Sequence, residues 1–91
     1  MEVHVNSAIR AQLSTLPDSD QAKTESILQK LTQGLPRTPN IRRLRANGDL
    51  WELRITSRLR ALLRIENDRV EVLAVARPDQ LQRYWRRELV S

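Results

Sequence analysis

Arginine is the residue type through which the second part of this chain can do chemistry. Residues 37–91 carry thirteen arginines, seven acidic residues and no lysine, whereas residues 1–36 carry three basic and four acidic residues. The excess behind the net charge of +5 therefore lies in the second part. Because the arginine head binds phosphates and carboxylates through paired hydrogen bonds, the bias indicates a nucleic acid or an acidic partner. A GC-rich genome also favours arginine, but Lys23 and Lys30 persist in the first part, which mildly favours selection.

Composition excludes several other kinds of site. The chain has 91 residues, enough for a single domain over 1–91, and no cysteine, so disulfides and thiolate metal sites are ruled out. His4 is the only histidine, and we expect neither a metal nor another cofactor. No stretch approaches the ~20 apolar residues of a membrane span, and the N-terminus lacks a secretory pattern. The sequence therefore predicts a cytoplasmic protein without membrane contact.

The first third of the sequence predicts a strand and a helical hairpin. Val3 and Val5 alternate in a short edge strand over 2–5. Asn6 or Ser7 can cap a helix that stops at Pro17, and Asp18 or Ser19 can begin a second helix that ends near Gly34. The second helix should bury one stripe, composed of Ala22, Ile27, Leu28, Leu31 and Leu35.

After residue 40 the apolar period changes from 3.6 to 2. Three strands are predicted over 50–56, 59–66 and 70–76, with a tight turn at Asn67 and Asp68. The last strand should alternate, with Val70, Val72, Ala74 and Ala76 on one face. Pro78 suits the first turn of a C-terminal helix. The expected fold is α+β: a mainly antiparallel sheet of about four strands, the helical hairpin packed on it, and the C-terminal helix.

The two faces of this sheet should differ. One hairpin can cover only one face of the sheet, and it should pack on the face that carries Trp51, Leu53 and Ile55. The opposite face carries Glu52 and arginines and is expected to be open and concave. That face is the candidate site.

Two consecutive segments resemble the RelE/ParE superfamily of bacterial toxins. They are Arg42 to Ile55, RRLRANGDLWELRI, and Arg58 to Glu66, RLRALLRIE, and the similarity extends in register over 41–77. The resemblance implies the toxin of a type II toxin-antitoxin system, bound in a hetero-oligomer by a cognate antitoxin with an acidic or amphipathic segment. RelE-like members enter the ribosome and cut mRNA, with the RNA 2′-hydroxyl as nucleophile and no metal. This branch is favoured.

Two alternatives stay open at this point. ParE-like members poison DNA gyrase without nuclease chemistry, and a degenerate member would only bind its antitoxin. The position before Leu53 is a lysine in the RelE pattern but Glu52 here, and no lysine follows Lys30. This departure gives the gyrase alternative weight, because arginine is a poor general base.

The resemblance and the strand pattern together suggest catalytic roles for five residues. Glu52 is the base candidate on its strand, and Arg54 shares its face and should lie close to it. Arg60 matches the strand arginine of the family and should clamp the scissile phosphate. Arg77 is a second clamp candidate, and Tyr84 is a possible acid or a platform for base stacking.

The remaining arginines are candidates for RNA contacts. Each phosphate they bind would add salt-sensitive affinity, and the same side chains could hold an acidic antitoxin tail. A purely structural alternative gives Arg60 and Arg64 cross-strand partners among the nearby glutamates. The RNA-binding candidates are Arg42, Arg43, Arg45, Arg64, Arg83, Arg86 and Arg87.

Overall fold

The structure is a computed structural model that describes residues 1–34, 40–45 and 48–90, with the side chains of all of these except 85 and 87–90. Five strands and three helices follow one another along the chain. They are β1 Glu2–His4, α1 Ser7–Leu13, α2 Asp18–Leu31, β2 Ile41–Arg43, β3 Leu50–Arg54, β4 Arg60–Glu66, β5 Arg69–Ala76 and α3 Pro78–Val90.

The strands form one sheet in the order β1-β5-β4-β3-β2. β1 is an edge strand parallel to β5, and all other pairs are antiparallel, which confirms the predicted α+β class. The sheet has five strands rather than about four because β2 pairs with β3 at the other edge. A strand of three residues with two adjacent arginines shows no alternation, so sequence periodicity could not find it.

The helical hairpin is confirmed, and its ends have local causes. Asn6 caps α1, its Oδ1 accepting a hydrogen bond from the Ile9 N–H at 2.9 Å. Pro17 stands between the helices, and Gly34 follows α2 with φ of +125°, a conformation that favours glycine.

One member of the predicted α2 stripe is wrong. Ala22 is exposed, whereas Thr24 is fully buried and its hydroxyl donates to the Asp20 carbonyl at 2.8 Å. That bond satisfies the only polar atom of the Thr24 side chain, so threonine can occupy a core position. Leu35 lies outside the described residues.

The main core lies between the hairpin and one face of the sheet. Leu53 and Ile55 are buried there and Trp51 packs against them, as predicted for β3. Ile9, Leu28 and Leu31 supply the helical side of the same core. Asn67 and Asp68 form the predicted turn between β4 and β5, with φ of 47° and 65°.

A β-bulge overturns the predicted alternation of β5. Leu62 lies opposite Ala74 but Leu63 lies opposite Val72, which leaves Leu73 as an extra residue in β5. After it the faces exchange: Val75 joins the main core, and Ala74 and Ala76 turn to the other face. A bulge shifts the register by one residue, which residue types alone do not reveal.

The second face is not open throughout, contrary to expectation. Leu81 of α3 is fully buried against Leu62, Ala74 and Ala76, in a second, smaller core. The bulge brings these two alanines under α3, and their small side chains let the helix lie close to the sheet. No helix in the described parts of the chain is both long and apolar enough to cross a membrane.

The Leu81→Ala substitution should destabilise the protein by about 2 to 5 kcal/mol, because it leaves a cavity where the second core meets α3. Urea unfolding followed by circular dichroism measures this loss. Gln82→Ala, at the exposed neighbouring position, is the matched control and should change stability by less than about 0.5 kcal/mol. Equal effects of the two substitutions would contradict the packing of α3 on the sheet.

Candidate functional site

The candidate residues gather at one end of the sheet. Strand register places Arg54, the last residue of β3, opposite Arg60, the first residue of β4, and Arg60 opposite Ala76, the last residue of β5. Arg77 follows Ala76 and leads directly into α3. We call Arg54, Arg60 and Arg77 the arginine row, since cross-strand neighbours lie about 5 Å apart.

Glu52 is the anchor of this end of the sheet. Its carboxylate is buried, with 7% of the side chain exposed, and Oε1 accepts a hydrogen bond from Nη1 of Arg60. Nε of Arg42, which lies opposite Glu52 across the β2–β3 pair, is 3.5 Å from the same oxygen. A carboxylate buried at this depth needs paired cations to offset its lost hydration.

Arg60 and Arg42, and not Arg54, form the described ion pairs of Glu52. Arg54 is exposed and forms no ion pair with any described residue. Its side chain lines a cavity beside α2 instead. Arg42 lies directly opposite Glu52. Arg60 lies diagonally across from it, two positions before its partner Leu62, a separation that a long side chain can span.

The guanidinium of Arg60 is held on one side and accessible on the other. Its Nη1 donates to Glu52, and about a third of the side chain is exposed. Its Nε is buried and has no hydrogen-bond partner among the described residues. Arginine carries five N–H donors in a planar fork, so Glu52 fixes the orientation of the head while other donors stay available to an anion.

Arg77, at the α3 end of the arginine row, and Tyr84, on α3, are both exposed. Arg77 is exposed, and its Nε lies 3.8 Å from Oδ1 of the equally exposed Asp79, a contact that stabilises little in water. Tyr84 is 42% exposed and lines a cavity of about 410 Å³ together with Gln12, Ala76, Gln80 and Arg83. Gln12 closes the far wall by donating from Nε2 to the Val75 carbonyl at 2.9 Å.

The arginines predicted to bind RNA do not form one surface. Arg43 lies opposite Trp51 and stacks over its ring, 4.7 Å from the centroid, on the face of the main core. Arg42 points to the other face, and Arg64 is 3.2 Å from Asp49 at the far end of β4. Arg45, Arg83 and Arg86 are exposed, and the side chain of Arg87 lies outside those described.

An acidic pair at the far end of the sheet is not predicted by the sequence pattern. A hydrogen bond between the side chains of Asp49 and Glu66 raises the pKa of Glu66 and lowers that of Asp49, which Arg64 also holds down. The Ile65 N–H donates to the Asp49 carbonyl at 2.8 Å and brings the two strands together there. Seventeen positions separate the two residues in the sequence, so only strand register could have revealed the pair.

The Glu52→Gln substitution should destabilise the fold by about 1 to 3 kcal/mol, because it leaves the half-buried head of Arg60 without its counter-charge. Chemical denaturation measures the change. Asp79→Asn removes an exposed carboxylate that also faces an arginine and should cost about 0 to 0.5 kcal/mol. A cost for Glu52→Gln no larger than that of the control would contradict the anchoring role.

The Glu66 carboxyl should titrate above its ordinary range, because the pair shares a proton. Its proton is released later in the folded than in the unfolded chain, so this group stabilises the fold at low pH and loses that effect as pH rises through its folded pKa. In an NMR titration, Asp49→Asn should lower the pKa of Glu66. Glu71→Gln, which removes a weaker influence, should lower it less, and an unchanged pKa in Asp49→Asn would contradict the pairing.

Comparison with known proteins gives matches in structure and none in sequence. The chain matches no protein-family model and no curated protein sequence. It is similar to a chain of the archaeal RelE-RelB complex from Pyrococcus horikoshii, with a TM-score of 0.71 and 17% identity over 84% of this chain and 92% of that one. A chain of the RelBE2 toxin-antitoxin complex from Mycobacterium tuberculosis gives 0.66 and 21% over 84% and 95%.

A third similar structure is the YoeB/ParE toxin from Agrobacterium tumefaciens, with a TM-score of 0.67 and 14% identity over 85% of this chain and 98% of that one. All three cover most of both chains. The protein therefore has the fold of the RelE/ParE superfamily.

Proposed function

We propose that this chain, which has the RelE/ParE fold, is the toxin of a type II toxin-antitoxin system and cuts mRNA on the ribosome. The fold supports the toxin role, since one similar chain belongs to the toxin-antitoxin complex RelBE2 and another is the YoeB/ParE toxin. The observation that carries the nuclease proposal is the arginine head of Arg60, held by buried Glu52 beside exposed Arg54 and Arg77. A fixed cation in a row of cations suits the charge that develops on a phosphate in phosphoryl transfer.

The proposed reaction takes its nucleophile from the substrate. The RNA 2′-hydroxyl gives up its proton to water, or to Glu52 if that carboxylate acts as the base, and its oxygen attacks the adjacent phosphorus. The bond to the 5′-oxygen breaks, and a 2′,3′-cyclic phosphate and a 5′-hydroxyl form. Arg60 would clamp the scissile phosphate, with Arg77 as the second cation. Tyr84 is exposed beside Arg83 and would donate a proton to the leaving 5′-oxygen or stack on a base.

Glu52 can serve this reaction either as a general base or as a positioning residue. As a base it would accept the proton of the 2′-hydroxyl, which requires RNA to reach a carboxylate that is 7% exposed and engaged by two guanidinium groups. As a positioning residue it would only hold Arg60. The burial favours the positioning role.

The exposed arginines also suit the antitoxin partner. An acidic or amphipathic segment lying across the arginine row would neutralise these cations and exclude RNA from them. One surface would then serve both ribosomal RNA or mRNA and the inhibitor, and the toxin would stay silent in the complex.

A second candidate function follows from the burial of the Glu52 carboxylate. With that carboxylate buried and no lysine in β3, the described part of the strand offers no exposed general base. A gyrase inhibitor needs no base, so this observation favours the ParE-like activity over the nuclease. Induction without antitoxin distinguishes the two: mRNA fragments with arrested translation support the nuclease, and filamentous cells with an SOS response support the gyrase inhibitor.

Arg60→Ala should lower mRNA cleavage by about 10²- to 10³-fold, because one preorganised donor to the developing charge is lost. Primer extension on translated mRNA after induction measures cleavage. Arg69→Ala removes an exposed arginine at the opposite end of the sheet and should leave cleavage unchanged. Intact cleavage in Arg60→Ala would contradict the assignment of Arg60.

The role of Glu52 is tested by Glu52→Gln through the pH dependence of cleavage. If Glu52 only positions Arg60, the substitution leaves the shape of the pH-rate profile unchanged and weakens substrate binding, because Arg60 is no longer held. If Glu52 is the general base, the substitution removes the acidic limb of the profile and leaves substrate binding intact. We expect the first result, and the second would restore Glu52 as the base.

A further inference from the structure

A basic cavity lies beside α2, at the Arg54 end of the arginine row. Lys23, Ile27 and Lys30 form one wall, at the spacing that places them on one face of the helix. Asn40 and the stretch from Arg54 to Ser57 form the other wall, and the cavity measures about 390 Å³. Of these residues the sequence analysis singled out only Arg54 for function.

The described residues that line the cavity include three cations and no carboxylate. Lys23 and Lys30 are the only lysines of the chain, and both are exposed. Neither they nor Arg54 lies within ion-pair distance of any described acidic side chain. Like charges around one space repel each other, so an anion in the cavity would relieve a cost that the fold now carries.

The walls also hold neutral hydrogen-bond donors. Thr56 and Ser57 sit in the turn after β3, and the Thr56 hydroxyl oxygen accepts from the Arg58 N–H at 3.2 Å. Its own O–H is therefore turned away from that bond. Hydroxyls beside lysines and an arginine are the set of groups that contacts phosphate oxygens in nucleic-acid complexes.

The position of Arg54 connects this cavity to the candidate site. Arg54 lines the cavity and lies opposite Arg60 in the β3–β4 pair. Cations therefore continue from Arg77 across Arg60 and Arg54 to α2, where the seven positions between Lys23 and Lys30 span about 10 Å. A strand whose scissile phosphate lies at Arg60 can place its flanking phosphates along this path.

An acidic peptide fits the cavity less well than a nucleic-acid strand. An amphipathic peptide helix needs an apolar groove for its hydrophobic stripe. Here the apolar part of the wall is Ile27, which is half-buried, and Ile55, which is buried in the main core. The remaining lining is polar or charged.

We propose that this cavity binds backbone phosphates of the RNA strand next to the phosphate held at Arg60. The inference rests on the proposed function for the identity of the strand, but it concerns binding and not cleavage. It adds Lys23, Lys30, Thr56 and Ser57 to the RNA-contacting surface and gives Arg54 a phosphate-binding role.

The test measures binding of the full chain to a fluorescent 12-nucleotide 2′-O-methyl RNA, which cannot be cut because it lacks the nucleophile. Anisotropy titrations over a range of salt concentrations give the slope of log K against log salt. Loss of two phosphate contacts in the Lys23→Gln/Lys30→Gln variant should make this slope shallower by about 1.4 and weaken binding by about tenfold or more near 100 mM salt. Both lysines are exposed, so thermal unfolding should show an intact fold.

The matched control removes the same charge elsewhere. Arg10→Gln/Arg69→Gln lowers the net charge by two at exposed positions of α1 and of the opposite end of the sheet, and should keep the wild-type slope. Equal losses in both variants would show a general charge effect and overturn the proposal. So would an unchanged slope in the lysine variant, or a wild-type chain that does not bind the oligonucleotide.

A poly-glutamate probe separates RNA from an acidic peptide. Loss of poly-glutamate binding in the lysine variant with RNA binding intact would make the cavity a peptide site and overturn the proposal. A lysine-dependent RNA slope in a protein that cuts no mRNA would support the cavity while the nuclease function fails. Normal mRNA cleavage together with the same salt slope in the wild-type chain and the lysine variant would support the nuclease function and overturn the cavity proposal.

Discussion

The buried carboxylate of Glu52 between Arg42 and Arg60 is the interaction on which the arrangement of this end of the sheet depends. It joins side chains from β2, β3 and β4 on the face that α3 partly covers. A buried carboxylate is costly without cations, and two arginines without a carboxylate would repel each other, so each group fixes the other. The result is an arginine head with a set direction, next to cations that remain in solvent.

The same pairing explains a departure from the RelE pattern. The resemblance places a lysine where this chain has Glu52, which would add a third positive charge beside Arg42 and Arg60. The acidic residue instead binds those two arginines together, and the accessible positive charge at this end of the sheet lies on Arg54 and Arg77.

Much of the fold could be predicted because its signals are local. Asn6 as a cap, Pro17 between two helices and the Asn67-Asp68 turn each act within a few residues, and they were found correctly. The bulge at Leu73 and the pairing of β2 depend on contacts between strands, so the predicted alternation of β5 is wrong and the fifth strand is not found from the sequence. The candidate site shows the same difference between local signals and contacts that depend on strand register. The sequence pattern predicts Glu52 and Arg60 on one face, but which arginine reaches the carboxylate depends on register, as does the cavity that Arg54 shares with α2.

The chemical nature of the RNA ends tests directly whether the protein cuts mRNA with the substrate's own 2′-hydroxyl as nucleophile. Fragments from translated mRNA, made by the wild-type chain in the absence of antitoxin and with metal ions chelated after lysis, would be analysed for their termini. We expect a 2′,3′-cyclic phosphate or the 3′-phosphate derived from it on one fragment and a 5′-hydroxyl on the other, because the substrate supplies the nucleophile. Intact mRNA in arrested cells, or fragments with 5′-phosphate and 3′-hydroxyl ends, would contradict it.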